Sequence, residues 1–412
     1  MKVVVVHNRY RSTSPSGEDR VVDQEQSALE AAGHQVVRFE RRSDDIAALG
    51  SVRKAMVAAN VVWNPGPARD LEALLTTDRP DVVHIHNVFP LLSPSVLLAC
   101  QRSGVPSVVT LHNFNLVCAA GNLYREGAIC RACVGRHFPA PGVAHGCYRG
   151  SSLSTIPRAV SIAAHRNLWQ SAPSAYIFLS EAQRRELLPA GLPPSRSFVK
   201  PNLVQPARRR QAKAEAIVYL GRLTEEKGLR VLMDGWRRYG EATPDPRLRL
   251  VIAGTGPMES EIRDWARELS SVDLVGLLDR AACGDLVANA AAVVVPSVWP
   301  EPFGLVVAEA MAAGVPPIAT AHGAFPELIA DGRDGILFPP GDPGALGRVL
   351  RRIDADPGWT ETLGQAAYDT YVRRFAPPGN VAELERIYRY AVLHPGSAAV
   401  NVPASRRSRS AT

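Results

Sequence analysis

The residues best placed to do chemistry gather in one stretch, Val293 to Gly314 (VVVPSVWPEPFGLVVAEAMAAG), where two carboxylates, Glu301 and Glu309, stand with seven residues between them. The β-branched run Val293 to Val295 is the pattern of a buried parallel strand. Pro296 ends it. Pro300 and Pro302 then hold an extended turn, because proline fixes its own φ and restrains the residue before it. After Gly304, the Leu, Val, Ala, Glu and Met of Leu305 to Ala313 favour a helix. A strand, a tight loop and a helix start present unpaired N–H groups and the positive end of the helix dipole, which suit a phosphate. Glu309 lies one turn into the helix and can share the loop's face. One carboxylate can then meet sugar hydroxyls and the other a ribose, with a diphosphate between them.

Glu301-Pro302-Phe303-Gly304 through Glu309 resembles the Glu-x7-Glu motif of the retaining glycosyltransferases of family 4, which have the GT-B fold. The whole string, from Pro-Glu-Pro-Phe-Gly-Leu to Ala-Met-Ala-Ala-Gly, carries the likeness better than the bare spacing does. A second segment, Gly221-Arg222-Leu223-Thr224-Glu225-Glu226-Lys227-Gly228, is similar to the family's Gly-Arg…Lys-Gly signature. The resemblance implies that Arg222 and Lys227 neutralise the diphosphate of a departing nucleotide, where charge develops. It also implies that Glu301 holds donor-sugar hydroxyls and Glu309 the ribose, with backbone N–H groups around Phe303, Gly304 and Leu305 on the phosphates. His112 and Asn113 follow the β run Pro106 to Leu111, matching a family strand that ends in His-Asp or His-Asn, whose histidine contacts the transferred sugar. Gly254 and Gly256, in Gly-Thr-Gly-Pro, and Gly17, in Pro-Ser-Gly-Glu, stand near the donor in the family pattern. The family often has two glycines in that first loop where this chain has Gly17 alone, and His322 stands where many relatives have glycine. Such enzymes use basic side chains rather than an essential metal, so no cofactor is expected for catalysis.

Between His112 and the next helix lie Cys118, Cys130, Cys133 and Cys147. Cys130-Arg131-Ala132-Cys133 has the C-x2-C spacing that clips zinc between two thiolates, and the other two cysteines flank it. A glycine-rich loop of this length needs a staple. A structural zinc on four thiolates, free thiols and a labile disulfide all remain open. The strand Asp81 to His86 puts His84 and His86 on one face, with His86 and Asn87 towards an acceptor.

These residues need two supporting sheets. At 412 residues, 46% hydrophobic and 21% charged, the chain is long enough for two ordinary globular domains. The expected fold is α/β: a first Rossmann-like domain over 1–203 holding the cysteine loop 118–147, a nucleotide-sugar domain over 204–375, a helix over 376–393 crossing back to the first domain, and a disordered tail over 394–412. Residues 205–215 read as the linker. The opening strand Val3 to Val6 leads through a polar loop, His7 to Glu18, into a helix over Val21 to Ala32. Asn60 to Trp63 reads as a further strand, while Ser154 to Gln170 and Leu346 to Tyr371 each read as one helix.

With no apolar run of about 18 residues, nothing is expected to span a membrane, and the start reads as a strand rather than a leader. The protein is expected in the cytoplasm. The net charge of +7 suits nucleotide-sugar phosphates or peripheral contact with an anionic membrane face, and no nucleic-acid motif accompanies it. The expected reaction moves a sugar from a UDP- or GDP-sugar to an acceptor hydroxyl on a glycan, a lipid-linked sugar or a small metabolite. A glycosidase would leave Arg222 and Lys227 without work. A dinucleotide oxidoreductase would need Gly-x-Gly-x-x-Gly after the first strand, and a silent nucleotide-sugar binder would not need the full set of charged residues.

Overall fold

The computed structural model describes residues 1–12, 16–46, 51–210 and 214–396, with the side chains of 51–55 outside the description. Part of the 205–215 linker and most of the 394–412 tail therefore lie outside the described residues. The strands are β1 (Lys2–Arg9), β2 (Gln35–Arg42), β3 (Val82–Asn87), β4 (Ser107–Leu111), a short hairpin of β5 (Tyr124–Arg125) and β6 (Ala128–Ile129), β7 (Ala175–Phe178), β8 (Ser197–Val199), β9 (Ala216–Leu220), β10 (Arg249–Ala253), β11 (Val272–Gly276), β12 (Ala290–Val295), β13 (Pro317–Thr320) and β14 (Ile336–Phe338). They form two six-stranded sheets, ordered β2-β1-β3-β4-β7-β8 and β11-β10-β9-β12-β13-β14. Every pairing within these two sheets is parallel.

Parallel strands are joined by helical crossovers, so both faces of each sheet are covered and the strand interiors read as continuous apolar runs. Val3 to Val6 of β1 and Ala290 to Val295 of β12 are buried throughout for this reason. The two sheets and the expected αβ alternation make the GT-B architecture. The helix Pro377–Leu393 crosses back: Val381, Leu384, Ile387, Tyr388 and Ala391 pack with Val3, Val5, Val82, Val108 and Ile177 of the first sheet. The preceding helix, Pro357–Arg374, instead packs Ala367 and Tyr371 against Val307 and Met311 of the second half.

Four local expectations differ. Asn60 to Trp63 is not a strand: the helix Ser51–Val62 runs through it, Val61 is buried, and Trp63 stacks on His165 at 5.1 Å just beyond the helix end. Packing has overridden the β preference of Val-Val-Trp. The stretch 154–170 is two helices, Ser152–Ala164 and Arg166–Ser171, broken at His165, whose φ of −108° is not helical. The stretch 346–371 is likewise split, because Asp356 caps a new helix by accepting from the Trp359 N–H ahead of Pro357. The first loop is shorter than expected. β1 continues to Arg9, whose guanidinium binds Glu40 and Asp23, and the opening helix Gly17–Ala31 starts early under a Ser16 cap.

The first core also contains a buried ion pair, Lys200 Nζ to Glu25 Oε2 at 3.3 Å, with both side chains about 5% exposed or less. Burial opposes the charge on Glu25, but Lys200 and then His84 outweigh it and hold the carboxyl well below its usual range. A depressed acid contributes stability that is full above the ordinary carboxylate range and is lost as pH falls through its native value. Lys200→Met should lower unfolding free energy at pH 7 by about 3–5 kcal/mol, because it leaves a buried carboxylate without its cation. Denaturant titrations of both proteins at pH 7 and pH 4 check this, and the difference should shrink at the lower pH.

Candidate active site

Two loops of the second half interlock at the C-terminal ends of β9 and β12. Gly228 has φ 73°, and a Cβ there would collide with the carbonyl of Pro296. The Val298 N–H donates to Glu226 O at 2.9 Å. The interlock sets Lys227 Nζ 2.6 Å from Glu301 Oε1. The same oxygen accepts from Ser297 Oγ at 2.8 Å and Trp299 Nε1 at 2.9 Å. Burial opposes the charge on Glu301, which is 7% exposed, yet Lys227 and these donors hold it below the ordinary carboxylate value. Arg222, on the same loop, is largely exposed and binds Glu226 at 3.1 Å.

Glycines make the approach possible. Gly254 and Gly256 lie where a Cβ would strike the carbonyls of Gly221 and Leu223, so the Gly-Thr-Gly turn is required by the protein's own Gly-Arg loop. Gly304, at φ 90°, precedes the helix Leu305–Ala313, whose first N–H groups have no partner within the helix. Phe303 is buried edge-on against Phe375, so only its backbone can face a ligand. His322 Nε2–H donates to Ser297 O at 2.7 Å, and burial lowers its pKa.

The two halves meet along this seam. Arg20, in the opening helix, binds Glu309 at 3.0 Å. Burial raises the Glu309 pKa although Arg20 and Arg280 oppose it. Gly17 lies beside Leu305, where an added Cβ would be 3.6 Å from its Cδ2. Ser180 Oγ donates to Pro302 O at 2.7 Å, and the Glu327 carboxylate caps the helix Glu181–Leu187 by accepting from the N–H groups of Glu181 and Ala182 at 2.8 and 2.6 Å.

On the first-half side, His112 stands at the end of β4 with Nε2 2.9 Å from His86 Nδ1. Burial, reinforced by the charge on His7, pulls the His112 pKa down to about 3, so the ring is neutral. His84 and His86 point to one face of β3, and both approach Glu25, at 3.1 and 3.5 Å. Glu25, His84 and His86 are the one set of three possible metal ligands within 4.8 Å among the described residues. Lys200 and Tyr388 already bind Glu25 and His84, so the set reads as a charge-balanced polar network. Sequence reasoning missed Glu25. Its signal was a carboxylate in line with Val21, Val22 and Leu29 on the apolar stripe of a helix.

Cys118, Cys130, Cys133 and Cys147 line one cavity of about 20 Å³, enough for one water or ion. None is in a disulfide. Burial raises the Cys133 and Cys147 pKa values, and the neighbouring cysteines raise them further.

Two family models divide the chain between them: "Glycosyltransferase Family 4" matches residues 15–208 and "Glycosyl transferases group 1" matches residues 204–370. The chain belongs to the family 4 glycosyltransferases. Among curated relatives of this family 4 chain, an uncharacterised glycosyltransferase of Methanocaldococcus jannaschii is 30% identical over 44% of this chain and 46% of its own. A D-inositol 3-phosphate glycosyltransferase of Corynebacterium aurimucosum is 32% identical over 43% and 44%. The chain thus spans less than half the length of the curated relatives it matches. The solved structure of Anabaena HepE in complex with UDP-glucose superposes with a TM-score of 0.64 at 18% identity, covering 94% of this chain and 98% of that one. The sucrose-phosphate synthase of Thermosynechococcus elongatus gives 0.67 at 19%, with the same coverage. These likenesses establish the GT-B fold.

Glu18, beside Gly17, has Oε1 buried without a partner, and burial raises its pKa to about 7. A raised acid favours the fold while protonated, so stability should fall as pH rises from about 4.5 to about 7. Glu18→Gln should flatten that slope in melting temperatures taken between pH 4.5 and pH 8. An unchanged slope would contradict the burial of the carboxyl.

Proposed function

We propose that this family 4 protein transfers a sugar from a nucleotide-sugar donor to an acceptor hydroxyl with retention at the anomeric carbon. The observation that carries the reading is the Lys227–Glu301 pair, set by interlocked loops at the strand ends beside the N-terminus of the helix Leu305–Ala313. An ammonium and unpaired N–H groups stabilise the charge that grows on a departing diphosphate. A buried carboxylate beside them binds sugar hydroxyls. Arg222, exposed on the same loop and paired with Glu226, is assigned as a second phosphate ligand. Glu309, paired with Arg20, is assigned to the ribose, and Gly17, Gly254, Gly256, Phe303, Gly304 and Leu305 to the donor's surroundings.

In the reaction the bond from the anomeric carbon to the phosphate oxygen breaks. The acceptor oxygen bonds that carbon from the same face through an oxocarbenium-like state. The acceptor's proton passes to the departing phosphate oxygen, so no separate base is needed. Neutral His112 holds a sugar hydroxyl. The complexes of HepE with UDP and UDP-glucose support UDP-sugars as the first donors to test, ahead of GDP-sugars. The acceptor is proposed to be a growing glycan or lipid-linked sugar, with a small metabolite as the second reading. Among the described residues no helix is long and apolar enough to cross a membrane.

A cation bound by the four cysteines is proposed as a structural clip. Arg158 supports it. This guanidinium is 5% exposed, its Nε has no hydrogen-bond partner, and the groups acting on it are Tyr148 first, then Tyr10 and Cys118. A thiolate set around zinc carries net negative charge that would balance Arg158.

Binding only to the native state raises apparent stability. A panel of UDP, GDP, ADP, TDP and their sugars is therefore expected to shift the melting temperature with one nucleotide class, and no shift with any would remove the reading. Lys227→Ala should cut turnover about 10²–10³-fold with the fold retained, and near-normal turnover would refute its role. Protein purified without chelators should carry one zinc per chain and lose it in Cys130→Ser/Cys133→Ser. Metal-free wild-type protein with an unchanged melting temperature would retire the clip.

A further inference from the structure

The polar network under the first sheet's strand ends has more order than a sugar contact at His112 alone requires. A hydrogen bond between two ring nitrogens, such as that at 2.9 Å between His86 and His112, needs an N–H on one and a lone pair on the other. Burial depresses both rings strongly, so each is neutral and carries one proton. Two arrangements are then available. Either His86 is protonated at Nε2 and accepts from His112 Nε2–H, or His86 donates from Nδ1 and leaves its own Nε2 bare.

Glu25 chooses between them. Its Oε1 lies 3.5 Å from His86 Nε2, a buried nitrogen with no hydrogen-bond partner. An ionised carboxylate attracts an N–H and repels a lone pair, and at this burial the preference is little screened. Lys200, 3.3 Å from the other carboxylate oxygen, keeps Glu25 ionised. His84 packs beside His86 at a ring separation of 4.1 Å. It is held by Thr110 at 2.8 Å and Tyr388 at 2.7 Å, which block rotation of the stack.

We propose that Glu25 is a positioning residue which, through His86, fixes His112 as the Nε2–H tautomer, so that His112 offers a lone pair at Nδ1 and accepts a hydrogen bond from a hydroxyl of the bound sugar. This rests on the reading above that a sugar sits beside His112. Among the described residues Nδ1 of His112 has no hydrogen-bond partner, and the residue is half-buried at the strand end. It therefore selects for a hydroxyl that can point its proton at the ring. A sugar carrying no O–H at that place, such as a deoxy or O-alkylated one, loses the contact. Glu25 never touches substrate in this arrangement. Its effect is transmitted by one proton position.

The test is a long-range ¹H–¹⁵N spectrum of full-length protein labelled at histidine ring nitrogens, with His112 assigned by His112→Gln. The expected result is a protonated Nε2 and a bare Nδ1 on His112. Glu25→Gln should mix the tautomers and weaken UDP-glucose binding about tenfold, the effect of one hydrogen bond. If that variant does not fold, the wild-type spectrum still decides, and Glu25→Asp supplies a milder retraction of the carboxylate. Nδ1–H on a His112 that responds to UDP-glucose overturns the proposal while leaving the sugar site standing. A bare Nδ1 on a His112 that responds to neither UDP-glucose nor GDP-glucose overturns the sugar site, and with it the role given to Glu25.

Discussion

One oxygen of Glu301 receives hydrogen bonds from an ammonium, a hydroxyl and an indole, and much of the second half is arranged to allow it. A buried carboxylate is tolerated only when its charge is matched and its lone pairs are filled. That requirement draws Lys227 inward, which needs the loop after β9 to touch the loop after β12, which in turn excludes a side chain at residue 228. On the opposite side the backbone of Glu301 crowds Gly323, whose φ of 59° suits glycine, and Glu301 O accepts from the Ala324 N–H at 3.0 Å. Motif residues that look independent in the sequence thus answer to a single desolvated charge.

The halves are joined unequally. Along the seam Arg20–Glu309, with side chains 33% and 20% exposed, and hydrogen bonds from loop and helix ends accompany Trp299, which packs into the first core beside Phe114, and Leu179, which packs into the second. Pairs with this much exposure contribute about 0.2–1 kcal/mol each. The crossing helix Pro377–Leu393 is different in kind, because it buries a full apolar stripe and a tyrosine hydroxyl in the first sheet. The crossing helix cannot leave without exposing a core.

The legible parts of the sequence were those where local pattern and packing agree. The helix Leu305–Ala313 falls where its composition and flanking glycines put it, and β12 is a short apolar run that reads directly as a buried strand. Failures came where packing decides. Val-Val-Trp at 61–63 has β-forming side chains, but a partner helix and His165 hold it helical or at a helix end. Gly254 and Gly256 were visible, yet the atoms that require them, the carbonyls of Gly221 and Leu223, belong to a loop 33 residues earlier in the sequence. Glu25 was hidden for a related reason: a buried acid makes sense only beside Lys200, His84 and His86, and nothing local brings those residues together.

The crossing helix also bears on how the chain is made. Val3, Val5 and Val82 share a core with Leu384, Ile387 and Tyr388, so the first sheet emerges from the ribosome long before its last covering element exists. Domains made early usually fold early. Here one face of the earliest sheet, covered in part by Val22, Ala28 and Leu29 of the opening helix, stays incompletely covered until the whole second half has been synthesised. That interval is when a chaperone, or the sheet of a second nascent chain, would find an apolar face to bind.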